Sequence, residues 1–143
     1  MIYPDAEVIA REWALNNTNI AAIVGTRVAT RLPEAPTFPF LTVFRAGGSR
    51  AGDTDAPIDE PLLQWDCYGA KGQNAPDYAS ASLLARTLVD EADSVTGLEV
   101  THLMGDAFMY GFEIFAGPTR IEEPDTGWAR YTVDTILVMR RRL

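Results

Sequence analysis

The sequence predicts an α+β domain in which a mostly antiparallel β-sheet carries about two α-helices on one face and has long hairpin loops. Three observations predict this class. Two segments repeat apolar residues at helical spacing, one near residue 5 and one after residue 76. About six further segments have the alternation or the β-branched and aromatic content of strands. Most of these strands follow one another closely enough to form hairpins.

Composition indicates one domain spanning residues 1–143 and excludes several functions. Apolar residues make up 47% of the chain, enough to bury a core at this length. The formal net charge of −8 excludes a protein that grips nucleic acid through its phosphates, which requires clustered positive charge. The single cysteine excludes an intrachain disulfide. Because neither a signal peptide nor an apolar run of roughly 20 residues is present, we expect a soluble protein with no membrane contact, assembled in a cytoplasm.

The first quarter of the chain combines helix and strand patterns. Residues 5–16 predict a helix, because Asp5 and Glu7 favour the positive end of its dipole and apolar residues follow at helical spacing. Residues 20–24 predict a short packed apolar segment, and residues 26–32 predict a strand. The next strand, residues 40–46, begins only after the last of three prolines, Pro39.

A strand and a helix form the centre of the prediction. The glycine-rich residues 47–55 predict a long mobile hairpin loop. Residues 60–69 predict a strand with one core-facing side. That side carries Leu63, Trp65 and Cys67. After a turn, residues 77–92 predict a long amphipathic helix, whose alanines permit close packing on the sheet.

The C-terminal third predicts three strands. Residues 98–104 and 107–115 alternate, and Gly117-Pro118 predicts the end of the second of them. The side chains expected to share one face of that strand are Phe108, Tyr110, Phe112 and Ile114. Residues 119–127 predict a polar loop. The last strand, residues 128–139, places Tyr131, Val133, Thr135, Leu137 and Met139 on one face.

Catalytic and ligand-binding patterns are weak. His102 could pair with Cys67 as a nucleophile, or with Asp66 as acid and base of a small enzyme, but no recognisable motif surrounds any of these residues. Asp53, Asp55 and Asp59 lack the glycine and closing glutamate of a calcium loop. The glycines near residue 47 lack the Gly-Lys-Ser/Thr ending of a phosphate loop. We therefore expect no cofactor and no metal, with a small enzyme kept as a remote alternative.

Five segments of the sequence, in the order of the predicted elements, form a recognisable pattern. They are Phe38-Pro39-Phe40-Leu41-Thr42-Val43, Arg45-Ala46-Gly47-Gly48, Pro61-Leu62-Leu63-Gln64-Trp65-Asp66-Cys67-Tyr68-Gly69, Gly117-Pro118-Thr119-Arg120, and Pro124-Asp125-Thr126-Gly127-Trp128-Ala129-Arg130-Tyr131. With these segments the order of elements resembles the tail-terminator, or tail-completion, proteins of long-tailed bacteriophages and related gene-transfer particles. The resemblance covers most of the chain as a pattern of elements, without a catalytic signature.

The resemblance implies a structural virion protein and not an enzyme. Such proteins form a hexameric ring at the head-proximal end of the tail tube, stop its polymerisation and join the tail to the neck or connector. DNA passes through the lumen without specific binding, and an acidic lumen would let the duplex slide. The partners implied are other copies of the chain, the tail tube protein and the neck or connector protein. A neck or head-completion protein is the alternative in the same class.

The candidate contact residues lie in the polar loops and at the C-terminus. Loops 47–60 and 119–127 are long and polar, so we expect them to be unordered in a monomer. Eleven of the 12 basic residues are arginine, the preferred residue for ion pairs at interfaces. The predicted interface or lumen residues are Arg45, Arg50, Asp53, Asp55, Asp59, Arg120, Glu122, Glu123, Asp125, Arg140, Arg141 and Arg142.

Overall fold

A computed structural model describes residues 4–51, 58–70, 77–95, 102–104 and 107–141. Its fold is α+β, as the sequence predicts. Three helices and six strands are present in the described residues. In chain order they are α1 (Ala6–Asn16), α2 (Thr18–Val24), β1 (Val28–Ala29), β2 (Phe40–Ala51), β3 (Ile58–Tyr68), α3 (Tyr78–Ser94), β4 (His102–Met104), β5 (Ala107–Ile121) and β6 (Arg130–Arg141).

Side-chain caps set the ends of the helices. Asp5 accepts hydrogen bonds from the first amides of α1, and Asn17 ends that helix while its side chain accepts the amides of Asn19 and Ile20. The short apolar segment expected at residues 20–24 therefore belongs to a helix, so the described residues form three helices where about two were predicted. Asp77 caps α3, which confirms the predicted long amphipathic helix.

The six strands form one sheet in the order β1-β2-β3-β6-β5-β4. The first pair, β1 with β2, is parallel, and the other four pairs are antiparallel. The strand expected at residues 26–32 is much shorter than predicted, because only Val28 and Ala29 pair with β2. The helices pack on one face of the sheet, which we call the covered face, and the opposite side is the open face.

The covered face confirms the predicted inward sides of β3 and β6. Leu63, Trp65 and Cys67 are fully buried. Trp65 makes edge contacts with Trp13 of α1 and Phe112 of β5, at ring centroid distances of 5.9 and 6.3 Å. On β6 the buried side consists of Val133, Thr135, Leu137 and Met139. One apolar core thus joins helices to central strands.

The loop predicted at residues 47–55 is strand up to residue 51 in the structure, because β2 continues there as one arm of a hairpin with β3. β2 continues through a bulge between Arg45 and Gly47 and pairs with β3 as far as Ala51. Gly48 has a φ of +95°, and a Cβ there would lie 2.5 Å from the Leu62 amide nitrogen. The glycines that indicated a loop instead permit the bulge and a close approach of two strands. Asp53 and Asp55 lie outside the described residues.

Bulges also correct the predicted path of β5. The strand does not end at Gly117-Pro118 but pairs with β6 as far as Ile121, with three register shifts. The first shift, between Met109 and Gly111, reverses which side chains point inward. Ala107, Met109 and Phe112 are buried in the core, so Phe108 and Tyr110 do not share a face with Phe112.

Candidate assembly surface

The outer edge of β2 is open along most of its length. The Leu41 amide donates to the Arg27 carbonyl at 3.0 Å, and β1 pairs only with Leu41 and Thr42. The Arg45 amide donates to the Glu7 carboxylate at 2.9 Å. In the described part of the chain, residues 47–51 pair with β3 alone. This edge presents backbone groups to which another strand could add.

An ion pair holds the bulge that interrupts this edge. The Arg45 guanidinium donates to both Asp59 carboxylate oxygens, at 2.8 and 2.9 Å, and to the Gly47 carbonyl at 3.0 Å. Asp59 is 1% exposed. The bidentate geometry makes this a strong charge-assisted contact. Two predicted contact residues, Arg45 and Asp59, therefore stabilise the hairpin within one chain.

The opposite edge of the sheet is irregular. β4 pairs only with residues 107–109 of β5, and no further strand of the described residues flanks β5 beyond Met109. Two more register shifts and Pro118, which has no amide hydrogen, interrupt this stretch. Bulges and proline oppose strand addition at an edge. Phe115 projects here and is 61% exposed.

On the open face, Arg130 joins the sheet to the turn between β5 and β6. Its Nε and Nη2 donate to the same Asp66 oxygen at 3.1 and 3.0 Å, and its Nη1 donates to Glu123 at 2.6 Å. Burial lowers the pKa of Arg130, but the hydrogen bonds and charges of Glu123 and Asp66 outweigh burial and raise it. Glu123, predicted as a loop contact residue, therefore forms its ion pair within the same chain.

A second set of contacts ties this turn to α3. The Arg120 guanidinium lies 3.6 Å from the centroid of the Tyr78 ring and forms a 3.1 Å ion pair with Glu122. The Tyr78 hydroxyl donates to the same carboxylate at 3.1 Å. Part of the loop expected to be unordered in a monomer is therefore either strand or bonded turn. Arg120, Glu122 and Asp125 remain exposed.

The remaining predicted contact residues lie near the β2–β3 hairpin and the end of β6. Arg50 is opposite Asp59 on β3, and Arg141 is opposite Ala107 on β5. Arg140 stands opposite both Ile58 and Phe108. Arg142 lies outside the described residues. The structure therefore brings the end of β6 beside the distal half of the hairpin.

Two residues central to these surfaces were not predicted as contact residues. Glu7 was assigned only to the helix dipole, yet it bonds an amide 38 positions away. Arg130 alternates with Tyr131 and so belongs to the other face of the last strand, where the sequence indicates no partner for it. No local pattern indicates either contact, because both partners come from distant parts of the chain. Alternation on β3 and β6 would have placed Asp66 and Arg130 on one face, and only the register makes them neighbours.

The structure separates the residues of the catalytic alternatives. His102 lies in the row of Met109, Met139 and Asp59, three strands from β3. Strand spacing and rise place it about 14 Å across and about 23 Å along the sheet from Asp66. Cys67 is buried, and burial and the Asp66 charge raise the pKa of its thiol. Both proposed pairings with His102 are wrong. Among the described residues no group of three or more potential metal ligands occurs.

Comparison with known proteins identifies a shared fold. No protein-family model matches the sequence, and no curated protein matches it. Among solved structures, the chain resembles a component of a particle titled "Virion of native gene transfer agent (GTA) particle", with a TM-score of 0.66 and 14% identity. The likeness covers 94% of this chain and 92% of that one. In the described residues no helix has the length and apolar character to cross a bilayer.

Proposed function

We propose that this protein is a structural component of a phage-like virion and acts by assembly, not catalysis. The observation that carries this proposal is the fold shared with a gene transfer agent virion component over more than nine tenths of both chains. The separation of His102 from Asp66 and Cys67 removes the catalytic pairs considered from sequence.

Within the virion we propose the role of tail terminator, a hexameric ring at the head-proximal end of the tail tube. Ring closure requires head-to-tail contacts between unlike surfaces of successive copies. The chain offers two unlike edges, the regular β2 edge at residues 47–51 and the bulged β5 edge. Because bulges and Pro118 oppose strand addition at the β5 edge, we propose that the β2 edge of one copy contacts a different surface of the next copy.

The charge of the chain supports passage of DNA through such a ring. With a net charge of −8, the average surface repels phosphates, so a duplex would slide without specific binding. On the open face, Glu113 is exposed and Asp134 is half-buried, and no described residue forms an ion pair with either. Partners at the two ends of the ring would be the tail tube protein and the neck or connector protein.

Tail assembly in the presence and absence of this chain tests the proposal. Electron microscopy of particles lacking it should show tails of uncontrolled length or unjoined heads, and adding purified protein to tubes should stop their growth. Light scattering of the purified chain should detect a ring. A strict monomer that neither binds tube ends nor limits tube length would refute the tail-terminator role.

A neck or head-completion protein is the alternative, supported by the same shared fold. Pull-down against purified tube protein and purified connector separates the two roles. A tail terminator should bind tube ends in the absence of connector, whereas a head-completion protein should bind connector alone. Binding to both is expected only of the terminator, because its ring lies between them.

A further inference from the structure

The Arg140 side chain makes cation–π contacts with two aromatic rings on the open face, near the end of β6. Its guanidinium carbon lies 5.3 Å from the centroid of the Phe108 ring and 6.0 Å from that of Tyr110. Both rings are within the range at which a cation is attracted by an aromatic face. Phe108 lies opposite Arg140 in the register, and Tyr110, two positions further along β5, lies on the same face of the sheet.

The two rings fix the position of the Arg140 guanidinium, but its hydrogen-bond donors are not all satisfied. The Nε atom of Arg140 is buried and has no hydrogen-bond partner. Three other arginines of the described chain, at positions 45, 120 and 130, each bind a carboxylate at 2.6–3.1 Å. A buried donor without an acceptor carries a desolvation cost, so the charge of this guanidinium is incompletely compensated within the chain. The rings reduce the freedom of the side chain, so less entropy is lost on binding.

We propose that Arg140 is a receptor for a carboxylate of a second copy of this chain. A carboxylate can accept from both terminal nitrogens of one guanidinium at once, and in the described residues those of Arg140 have no acceptor and, unlike Nε, are not buried. Several exposed carboxylates of the described chain lack an ion pair, so a neighbouring copy can supply one. They include Glu34, Asp90, Glu113 and Asp125.

Charge favours a copy of the chain over a nucleic acid at this position. The chain has 20 acidic and 12 basic residues, so a DNA duplex, which is negative along its whole length, meets net repulsion, whereas a second copy also carries arginines that can face acidic groups of the first. The inference rests on the proposed function, since it assumes a homo-oligomer. It adds the residue and the contact chemistry by which neighbouring copies recognise each other.

Sedimentation velocity over a concentration series tests the proposal with Arg140→Gln. We expect the variant to raise the dissociation constant of self-association at least about tenfold per interface, because truncation leaves the partner carboxylate unpaired. Arg140→Lys should weaken self-association nearly as much, since a lysine ammonium cannot donate the two parallel hydrogen bonds of a planar guanidinium. Arg86→Gln is the matched control, because Arg86 is exposed on α3 and bonds only Ser82. That variant should associate like the wild type.

Charge reversal identifies the partner and guards against a folding artefact. Arg140→Glu should abolish association while circular dichroism shows a normal melting temperature. Combining it in one chain with reversal to Arg of Glu34, Asp90, Glu113 or Asp125 should restore association for the true partner. An Arg140→Gln variant that assembles like the wild type overturns the proposal. So does a variant that keeps self-association but loses retention on duplex DNA, which would identify a phosphate as the ligand.

The outcomes separate this inference from the proposed function. Particles whose tails are terminated normally by Arg140→Gln chains would overturn the inference and leave the virion role intact. If the wild-type chain is absent from particles, the virion role fails, whereas self-association weakened by Arg140→Gln would still support the carboxylate contact. A wild-type chain found in particles but monomeric at every concentration would overturn the inference and the expected ring in solution, and would leave the virion role intact.

Discussion

The two faces of the sheet differ in what holds them together. On the covered face, Leu63, Trp65 and Leu137 are fully buried beneath the helices in a nearly uniform apolar core. On the open face, the corresponding positions carry the Asp66–Arg130–Glu123 ion pairs beside partly exposed apolar residues. The covered face is thus stabilised mainly by apolar burial, with the Arg45–Asp59 ion pair near its end, and the open face by a few charge contacts of defined geometry.

This difference between the faces indicates where the fold can accept substitutions. An apolar core tolerates little change in volume, since neighbouring helices and strands share each void. Ion pairs at a partly exposed face contribute less to stability and can be exchanged for contacts with a partner. We therefore expect covered-face substitutions to act on folding and open-face substitutions to act mainly on assembly. Four predictions test this difference, in order of decreasing effect.

The largest effect should follow Trp65→Ala. Trp65 is fully buried, touches two aromatic rings and donates from Nε1 to the Thr135 hydroxyl at 2.9 Å. Its removal should lower the free energy of unfolding by about 3–5 kcal/mol, measured by urea denaturation. The control is Trp128→Ala, on a half-buried ring that contacts Tyr68 and Phe38. Equal losses for the two variants would contradict the distinction between the faces.

A smaller loss should follow Arg130→Gln. The substitution leaves Asp66, which is 6% exposed, with Gln64 as its remaining donor and leaves Glu123 unpaired. After allowance for partial solvent screening, we expect a loss of about 1–3 kcal/mol in the free energy of unfolding. Arg120→Gln, on an exposed pair, is the matched control and should cost under about 1 kcal/mol. A reversed order would show that the buried arginine pair is not the stronger one.

Alkaline pH should weaken the fold partly through Tyr68. Burial, with the nearby Asp66 charge, raises the pKa of Tyr68 from 10.0 to about 12. Because the folded protein holds this proton more tightly, the contribution of Tyr68 to stability is complete below pH 10 and is lost as pH rises through 12. Unfolding titrations should show a shallower decline between these pH values for Tyr68→Phe than for the wild type. Identical slopes would contradict the prediction.

The smallest effect concerns Cys67, whose thiol should be inert in the folded chain. The side chain is fully buried, and its raised pKa removes the reactive thiolate. Labelling with a thiol reagent should proceed only at the rate of unfolding and become rapid in denaturant. Fast labelling in native buffer would show that this part of the covered face opens readily. Trp65→Ala should accelerate labelling, which links this measurement to the first prediction.

The sequence by itself determined the class of fold, the long helix and the inward sides of β3 and β6. These follow from periodicity, which is a local property: Leu63, Trp65 and Cys67 alternate, and the residues of α3 repeat at helical spacing. Asn17 shows the limit of such reasoning. Asparagine favours helix ends, and the predicted helix stops at residue 16, but the Asn17 side chain also begins α2.

The tertiary structure alone decided the bulges and the contacts between distant residues. Glycine and proline at 47–48 and 117–118 were interpreted as loop signals, but cross-strand pairing carries β2 and β5 past both sites. The pairing of β5 with β6 places Phe108 and Tyr110 beside Arg140. The packing of α1 against the sheet brings Glu7 to the amide of Arg45. Register and layer packing depend on the whole sheet, and no local pattern encodes which distant residues become neighbours.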